Sequence, residues 1–322
     1  MTPTAETPTK KSFIKVTEVW IPNGSRTSLE LSSGIYGDLE EFKESSRDES
    51  FVFDEGLPGK AWATGQPVVL TEFNDDNFKR TEAAHKAGLT CGVAIPVFAG
   101  EFVMGVVTFF CGEDGFHAGA LEVWRSLRTF PFEIVLEDGY YGSLDDFAFI
   151  SRKTRFRSGF GLPGLAIEQR LPVVLGDLAN SGVFARSFDA SRAEMTTALA
   201  LPCLGGNQGD TVVCLLSSEH MPIAKRYEVW VPEDDDSECL RLHSALCSID
   251  PDWEEMAEDI RVQKGLGVLG QTWLTGIPRT SESLEADLCP VATKAKEMGL
   301  RNMVTFPFME RGFLKAVVAW YF

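Results

Sequence analysis

The chain has 322 residues, 44% of them hydrophobic and 11% aromatic, which suffices for packed cores and excludes a disordered chain. Its formal net charge is −17, so its surface repels phosphate backbones and anionic lipid heads. Neither nucleic acid nor a membrane is therefore expected as a partner, and at about 100–200 residues per domain the length allows two or three domains.

Residues 1–12 are polar and rich in Pro and Thr. They read as a flexible tail and lack the apolar stretch of a signal peptide. The longest apolar runs, such as Phe102–Phe110, hold nine residues, whereas a membrane helix needs about 20. The seven cysteines form no CxxC pair; without a secretory signal they read as reduced thiols of a cytoplasmic protein.

After the tail comes Glu18-Val19-Trp20, and the same triplet recurs at 122–124 and 228–230. Three further landmarks keep the period of 104 to 106 residues: Gly56, Gly161 and Gly267; Pro67, Pro172 and Pro278; Pro96, Pro202 and Pro307. That period is too long for a solenoid unit and long enough for a small domain with its own core. The chain therefore reads as three domains, 13–112, 119–218 and 224–322.

Each copy opens with the strand that carries Glu-Val-Trp. Side chains alternate across a strand, so Leu121 and Val123 share one face while Glu122 and Trp124 share the other. A second alternating strand follows (Leu29 and Leu31, Ile134 and Leu136, Leu240 and Leu242). An acidic segment then predicts a short helix. The stretch GLPGKAWATGQPVVL, from Gly56, predicts a tight turn, about one helical turn ended by Gly65, and a short strand. A helix over NFKRTEAAHKAGL is predicted next, with Asn77 as N-cap and Gly88 at its end. Two apolar strands, CGVAIPVF and FVMGVVTFF, close the copy and read as buried on both faces. The order predicts an α+β domain with a central antiparallel sheet flanked by short helices.

The GLPG turns lack the GxxxxGK[ST] pattern of a phosphate loop and read as turns into a helix. Trp20, Trp124 and Trp230 sit at one repeat position and read as core residues with their N–H groups satisfied. Cys91, Cys111, Cys203 and Cys214 read as buried, inert thiols. Cys289 precedes Pro290 at a helix start, which makes it a candidate reactive thiol. Cys239, His243 and Cys247 fall on a strand rather than a helix, a poor metal site, so no metal is expected. The four histidines share no repeat position, and no catalytic group is expected.

The Glu-Val-Trp strand followed by Gly139-Tyr-Tyr-Gly142, then FGLPGLAIEQRLPVV, then the Phe-x-Arg helix before a Pro-containing strand resemble the GAF domain, which is similar to PAS domains in build. The resemblance covers nearly the whole chain three times. It is weaker in the third copy, which reads GVLG and has Cys289 where Phe78 and Phe184 stand. It implies a sheet of about six strands and a pocket between sheet and cover. It marks Phe78, Arg80, Trp62, Phe184, Arg186 and Tyr141 as pocket candidates, an arginine there anchoring a carboxylate or phosphate.

The bilin-attachment Cys-His pair and the NKFDE-type motif of cyclic-nucleotide-binding relatives are absent from the sequence. The joints Gly112–Gly119 and Ser217–Lys225 are too short for signalling helices. The resemblance thus implies a non-enzymatic sensory or regulatory protein that binds an unnamed small molecule and signals through a protein partner, without its own output domain. A ligand-free interaction scaffold and a thiol-based enzyme such as a sulfoxide reductase are the alternatives. Whether the three domains form a row or a compact pseudo-threefold body stays open.

Overall fold

The computed structural model describes residues 12–112, 119–205, 209–234, 237–310 and 312–322. Residues 1–11 of the tail expected at 1–12, His117 with most of the first joint, and the middle of the acidic run Glu233–Glu238 lie outside the described residues, whereas Ser12 is held by its hydroxyl on the Pro222 and Ile223 carbonyls (3.0 and 3.1 Å). The first copy runs β1 (Ile14–Pro22), β2 (Ser28–Ile35), α1 (Glu40–Arg47), β3 (Ser50–Val52), α2 (Gly56–Thr64), β4 (Val68–Leu70), α3 (Thr81–Lys86), β5 (Cys91–Ala99) and β6 (Phe102–Cys111). The second runs β7 (Ala120–Ser126), β8 (Ile134–Tyr140), α4 (Asp145–Lys153), β9 (Arg155–Phe156), α5 (Gly161–Gln169), β10 (Val173–Leu175), α6 (Ser187–Arg192), β11 (Met195–Cys203) and β12 (Thr211–Ser218). The third runs β13 (Arg226–Pro232), β14 (Cys239–Cys247), α7 (Trp253–Met256), β15 (Arg261–Gln263), α8 (Gly267–Thr275), β16 (Arg279–Ser281), α9 (Pro290–Glu297), β17 (Met303–Glu310) and β18 (Phe313–Tyr321).

Each copy makes one six-stranded antiparallel sheet with the same strand order, β3-β2-β1-β6-β5-β4 and its two equivalents. The class is α+β, as the element order predicts. In all three copies the register slips between the Val and Trp of Glu-Val-Trp, at Val19/Trp20, Val123/Trp124 and Val229/Trp230. Such a bulge bends and twists its strand, which helps curl the sheet around its helices.

Three local features differ from the sequence reading. A short strand (β3, β9, β15) pairs at the sheet edge before the glycine turn. The turn is itself helix from its first glycine, at φ +58, +68 and +63 for Gly56, Gly161 and Gly267. The second glycine is needed for space: a Cβ on Gly59, Gly164 or Gly270 would overlap the carbonyl oxygen of Val52, Arg157 or Gln263. The cover helix is shorter than predicted. In the first copy it starts at Thr81, and Asn77 instead accepts a bond from the Asn74 N–H in the preceding loop (3.0 Å).

Alternation sends the two faces of each sheet to different cores. One face, with Trp20, Trp124 or Trp230, packs under that copy's own helices. The other face, with Val19, Val123 or Val229, joins a single core shared by all three copies. There Phe109 of the first copy stacks on Trp320 of the third, with ring centroids 5.1 Å apart. The second joint belongs to this core too: Met221 and Ile223 are fully buried, and the Phe13 N–H bonds the Pro222 carbonyl (3.1 Å).

Polar links join every pair of copies. Thr211 Oγ1 donates to Gln66 Oε1 (2.7 Å), Arg170 Nε to Glu310 Oε1 (2.5 Å), and Lys43 Nζ to Glu282 Oε1 (2.9 Å). Pro96, Pro202 and Pro307 come together at a small cavity of about 70 Å³. The arrangement is the compact pseudo-threefold one: a head-to-tail contact that closes on itself after three copies.

Candidate functional site

The cover side of each sheet is where a pocket is expected, and there the repeated Glu-Val-Trp glutamate is the centre. Glu18, Glu122 and Glu228 are fully buried, because their strand position points them beside the tryptophan into the domain's own core. A buried carboxylate requires partners. Trp20, Trp124 and Trp230 each donate their Nε1–H to it, at 3.0, 2.9 and 2.8 Å. The Tyr36 and Tyr141 hydroxyls donate in the first two copies, at 3.2 and 3.0 Å.

The arginines of the Phe-x-Arg motif supply the countercharge. Arg80 reaches Glu18 with both terminal nitrogens, at 2.6 and 3.0 Å, and also bonds the Ser46 hydroxyl. Arg186 does the same to Glu122, at 2.5 and 2.8 Å, and to the Ser151 hydroxyl. Both guanidinium groups lie among aromatic rings. Arg80 is 4.6 Å from the Phe42 centroid and 5.2 Å from that of Phe78; Arg186 is 4.8 Å from Phe147 and 5.4 Å from Phe184. A bidentate, stacked arginine is a geometry that lysine does not reproduce.

These bonds tie the segment before the cover helix to the central strand of the sheet. Burial pushes Glu122 upward, but the Arg186 charge and the bonds from Arg186, Trp124 and Ser151 outweigh it, so its pKa falls below the ordinary value. Burial opposes the charge on Arg186, and Glu122 more than restores it. Tyr141 is pushed far up by burial and by the Glu122 charge, so it remains a donor.

The third copy solves the same problem differently. Its cover helix α9 carries no arginine, and the cation comes from Arg226 on the glutamate's own strand, with Nε 3.0 Å from Glu228 Oε1. Arg226 lies between Trp253 and Tyr321, 4.2 and 4.0 Å from their ring centroids. Trp253 Nε1 is a further donor at 2.9 Å. Here burial prevails and holds the Glu228 pKa above its ordinary value in spite of Arg226.

Five of the six pocket candidates therefore fall at these two clusters: Phe78, Arg80, Phe184, Arg186 and Tyr141 are all buried. Trp62 is apart from them, half-buried on α2 and edge-on to the exposed Phe53 at 5.3 Å. Cys289 is buried as the N-cap residue of α9, and burial pushes its thiol up to about 11. β14 spaces Cys239, His243 and Cys247 roughly 13 Å apart along one strand. The sequence reading missed the glutamate's role. Its signal was there: an acidic residue three times on the inward face next to a core tryptophan.

Residues 19–129 match the family model described as GAF domain. The chain carries a GAF domain. The other two sheets repeat its strand order, so the protein is a tandem of three GAF-like domains. Among solved structures, the chain is similar to the GAF domain from an Acinetobacter phosphoenolpyruvate-protein phosphotransferase (18% identity, 31% of this chain and 56% of that one, TM-score 0.24). It is also similar to a mutated NreA protein from Staphylococcus aureus described as mutated in its nitrate binding site (15%, 31% and 74%, 0.26). A third is a free methionine-R-sulfoxide reductase from Neisseria meningitidis in complex with its substrate (17%, 30% and 52%, 0.24). The match thus spans less than two thirds of the Acinetobacter chain and about a third of this one. No curated protein matches the chain. No described helix of the tandem GAF protein is long and apolar enough to cross a membrane.

Proposed function

We propose that this tandem GAF protein is a non-enzymatic regulatory module whose domain interiors are filled by its own side chains, so that it recognises partners through its surface. The observation behind this reading is the pair of buried clusters, Glu18–Arg80 and Glu122–Arg186. Each arginine spends its bidentate face on an internal carboxylate, in the place where a ligand anion would be anchored. The third domain repeats the economy with Arg226. A buried ion pair with stacked rings makes a rigid core, suited to holding surfaces in fixed relation.

A second reading keeps a small molecule inside the second domain. It draws on a depression of about 240 Å³ between α4 and α6, lined by Leu144, Asp145, Phe147, Asp189 and Arg192, whose Phe147 also stacks on Arg186. Native mass spectrometry of the protein purified from its own cells separates the two. A bare polypeptide, or a bound mass that survives Phe184→Ala, fits the self-filled interior. A bound small molecule lost in folded Phe184→Ala refutes it and establishes the second reading.

A further inference from the structure

The three seams between domains are built from equivalent elements but differ in chemistry. Where the third domain meets the first, Glu282 closes onto Lys43, and the Thr280 N–H bonds Ser33 Oγ (3.3 Å), so the lysine charge is paired. Where the second meets the third, Gly176 stands at the repeat position of Glu282, 106 residues earlier. The same position in the first domain is Thr71, 105 residues before Gly176. The opposite wall changes in parallel: Leu246 stands where the second domain has Tyr140, each directly across from its first strand at Tyr227 and Leu121.

Both walls are thus smaller here than at the seam of the first and second domains, and the seam holds a groove of about 500 Å³, within the range of small-molecule sites; the depression of about 490 Å³ at the third–first seam is lined instead by the paired Lys43 and Glu282. Its walls include Pro222, Tyr227, Leu246 and Ile249, and the half-buried Lys225 lines it. No carboxylate of the described residues lies within ion-pair distance of the Lys225 ammonium, in contrast to Lys43 at the neighbouring seam. Two acids also line the groove. Asp177 is engaged by both of its oxygens with the Asn180 side-chain amide (3.0 Å each), and Glu219 has a partner of its own.

We propose that this seam binds one small amphipathic carboxylate, its apolar body against Tyr227, Leu246 and Ile249 and its anion on Lys225. The apolar wall takes the body and the Lys225 ammonium takes the anion, which favours that chemistry over a neutral lipid. The proposal goes beyond the regulatory reading above, because it names a ligand class and puts it outside every domain interior.

Fluorescence titration of the full chain with 8-anilinonaphthalene-1-sulfonate tests it, with decanoate and decanol as competitors. The expected result is one site per chain, from which decanoate displaces the dye better than decanol does. Gly176 lies outside the left-handed region, and a Cβ there would meet the Leu246 methyl at 3.1 Å. Gly176→Val therefore crowds the groove and should weaken both competitors about tenfold or more. Leu246→Trp fills the same space from the other wall and should do likewise. Lys225→Gln should weaken decanoate by roughly three- to tenfold and leave decanol unchanged. Phe184→Ala should change neither. Absence of binding, several equal sites, or native-like binding by folded Gly176→Val and Lys225→Gln overturns the proposal. Loss of binding in Phe184→Ala alone overturns it as well, and also refutes the self-filled interior.

Discussion

Arg186→Met is the most direct probe of the buried cluster in the second domain. The substitution keeps an unbranched chain among the Phe147, Phe184 and Trp124 rings but removes the guanidinium. Glu122 then keeps only neutral donors, Trp124, Tyr141 and Ser151, in a site with no access to water. Leaving one member of a buried pair uncompensated costs about 3–5 kcal/mol. Glu122→Gln in the Arg186→Met background removes the stranded charge, so the double variant should be no less stable than Arg186→Met alone. Urea unfolding followed by tryptophan fluorescence reads all three, at constant m-value. If Arg186→Met lies within about 1 kcal/mol of the native chain, the pair behaves like an exposed one and the argument for a self-filled core fails.

Three further outcomes are expected. Glu122 has a lowered and Glu228 a raised folded-state pKa relative to 4.5, so their stability contributions run in opposite directions with pH. Below pH 4.5 the unfolded chain takes up protons at Glu122 that the folded one refuses, so stability falls with pH there and Glu122→Gln should flatten that loss. Just above pH 4.5 the folded chain binds the Glu228 proton more tightly, so stability rises on acidification and Glu228→Gln should remove that rise; urea midpoints against pH check both. Gly164→Ala places a methyl group on the Arg157 carbonyl and should cost about 1–3 kcal/mol; an unchanged urea midpoint would contradict the close approach. The fragment 119–218 on its own would expose Leu121, Val123, Leu199, Leu201, Val213 and Leu215, so it should bind hydrophobic dye and self-associate in gel filtration, not run as a folded monomer.

The sheets were legible because their information is periodic. Glu-Val-Trp, the glycine pair and the strand prolines recur at one spacing, and alternation alone assigns Leu121 and Val123 to one face and Trp124 to the other. The partner of Arg80 was not legible, because Glu18 lies 62 residues away and nothing local announces a pair closed through the fold. The meeting of the three sheets was hidden for a related reason. Strands such as β6 and β12 are apolar on both faces, which tells that each face is covered but not by what. The joint Ser217–Lys225 illustrates the ambiguity: read as a connector, it contributes Met221 and Ile223 to the shared core.

Three separate copies of one polypeptide, assembled about a true threefold axis, would have to present every surface three times over. Joining the copies end to end lifts that obligation. A residue such as Gly176 can be altered in one place while Thr71 and Glu282 stay as they are, so a single cleft can take on its own chemistry without a threefold toll on the body that carries it.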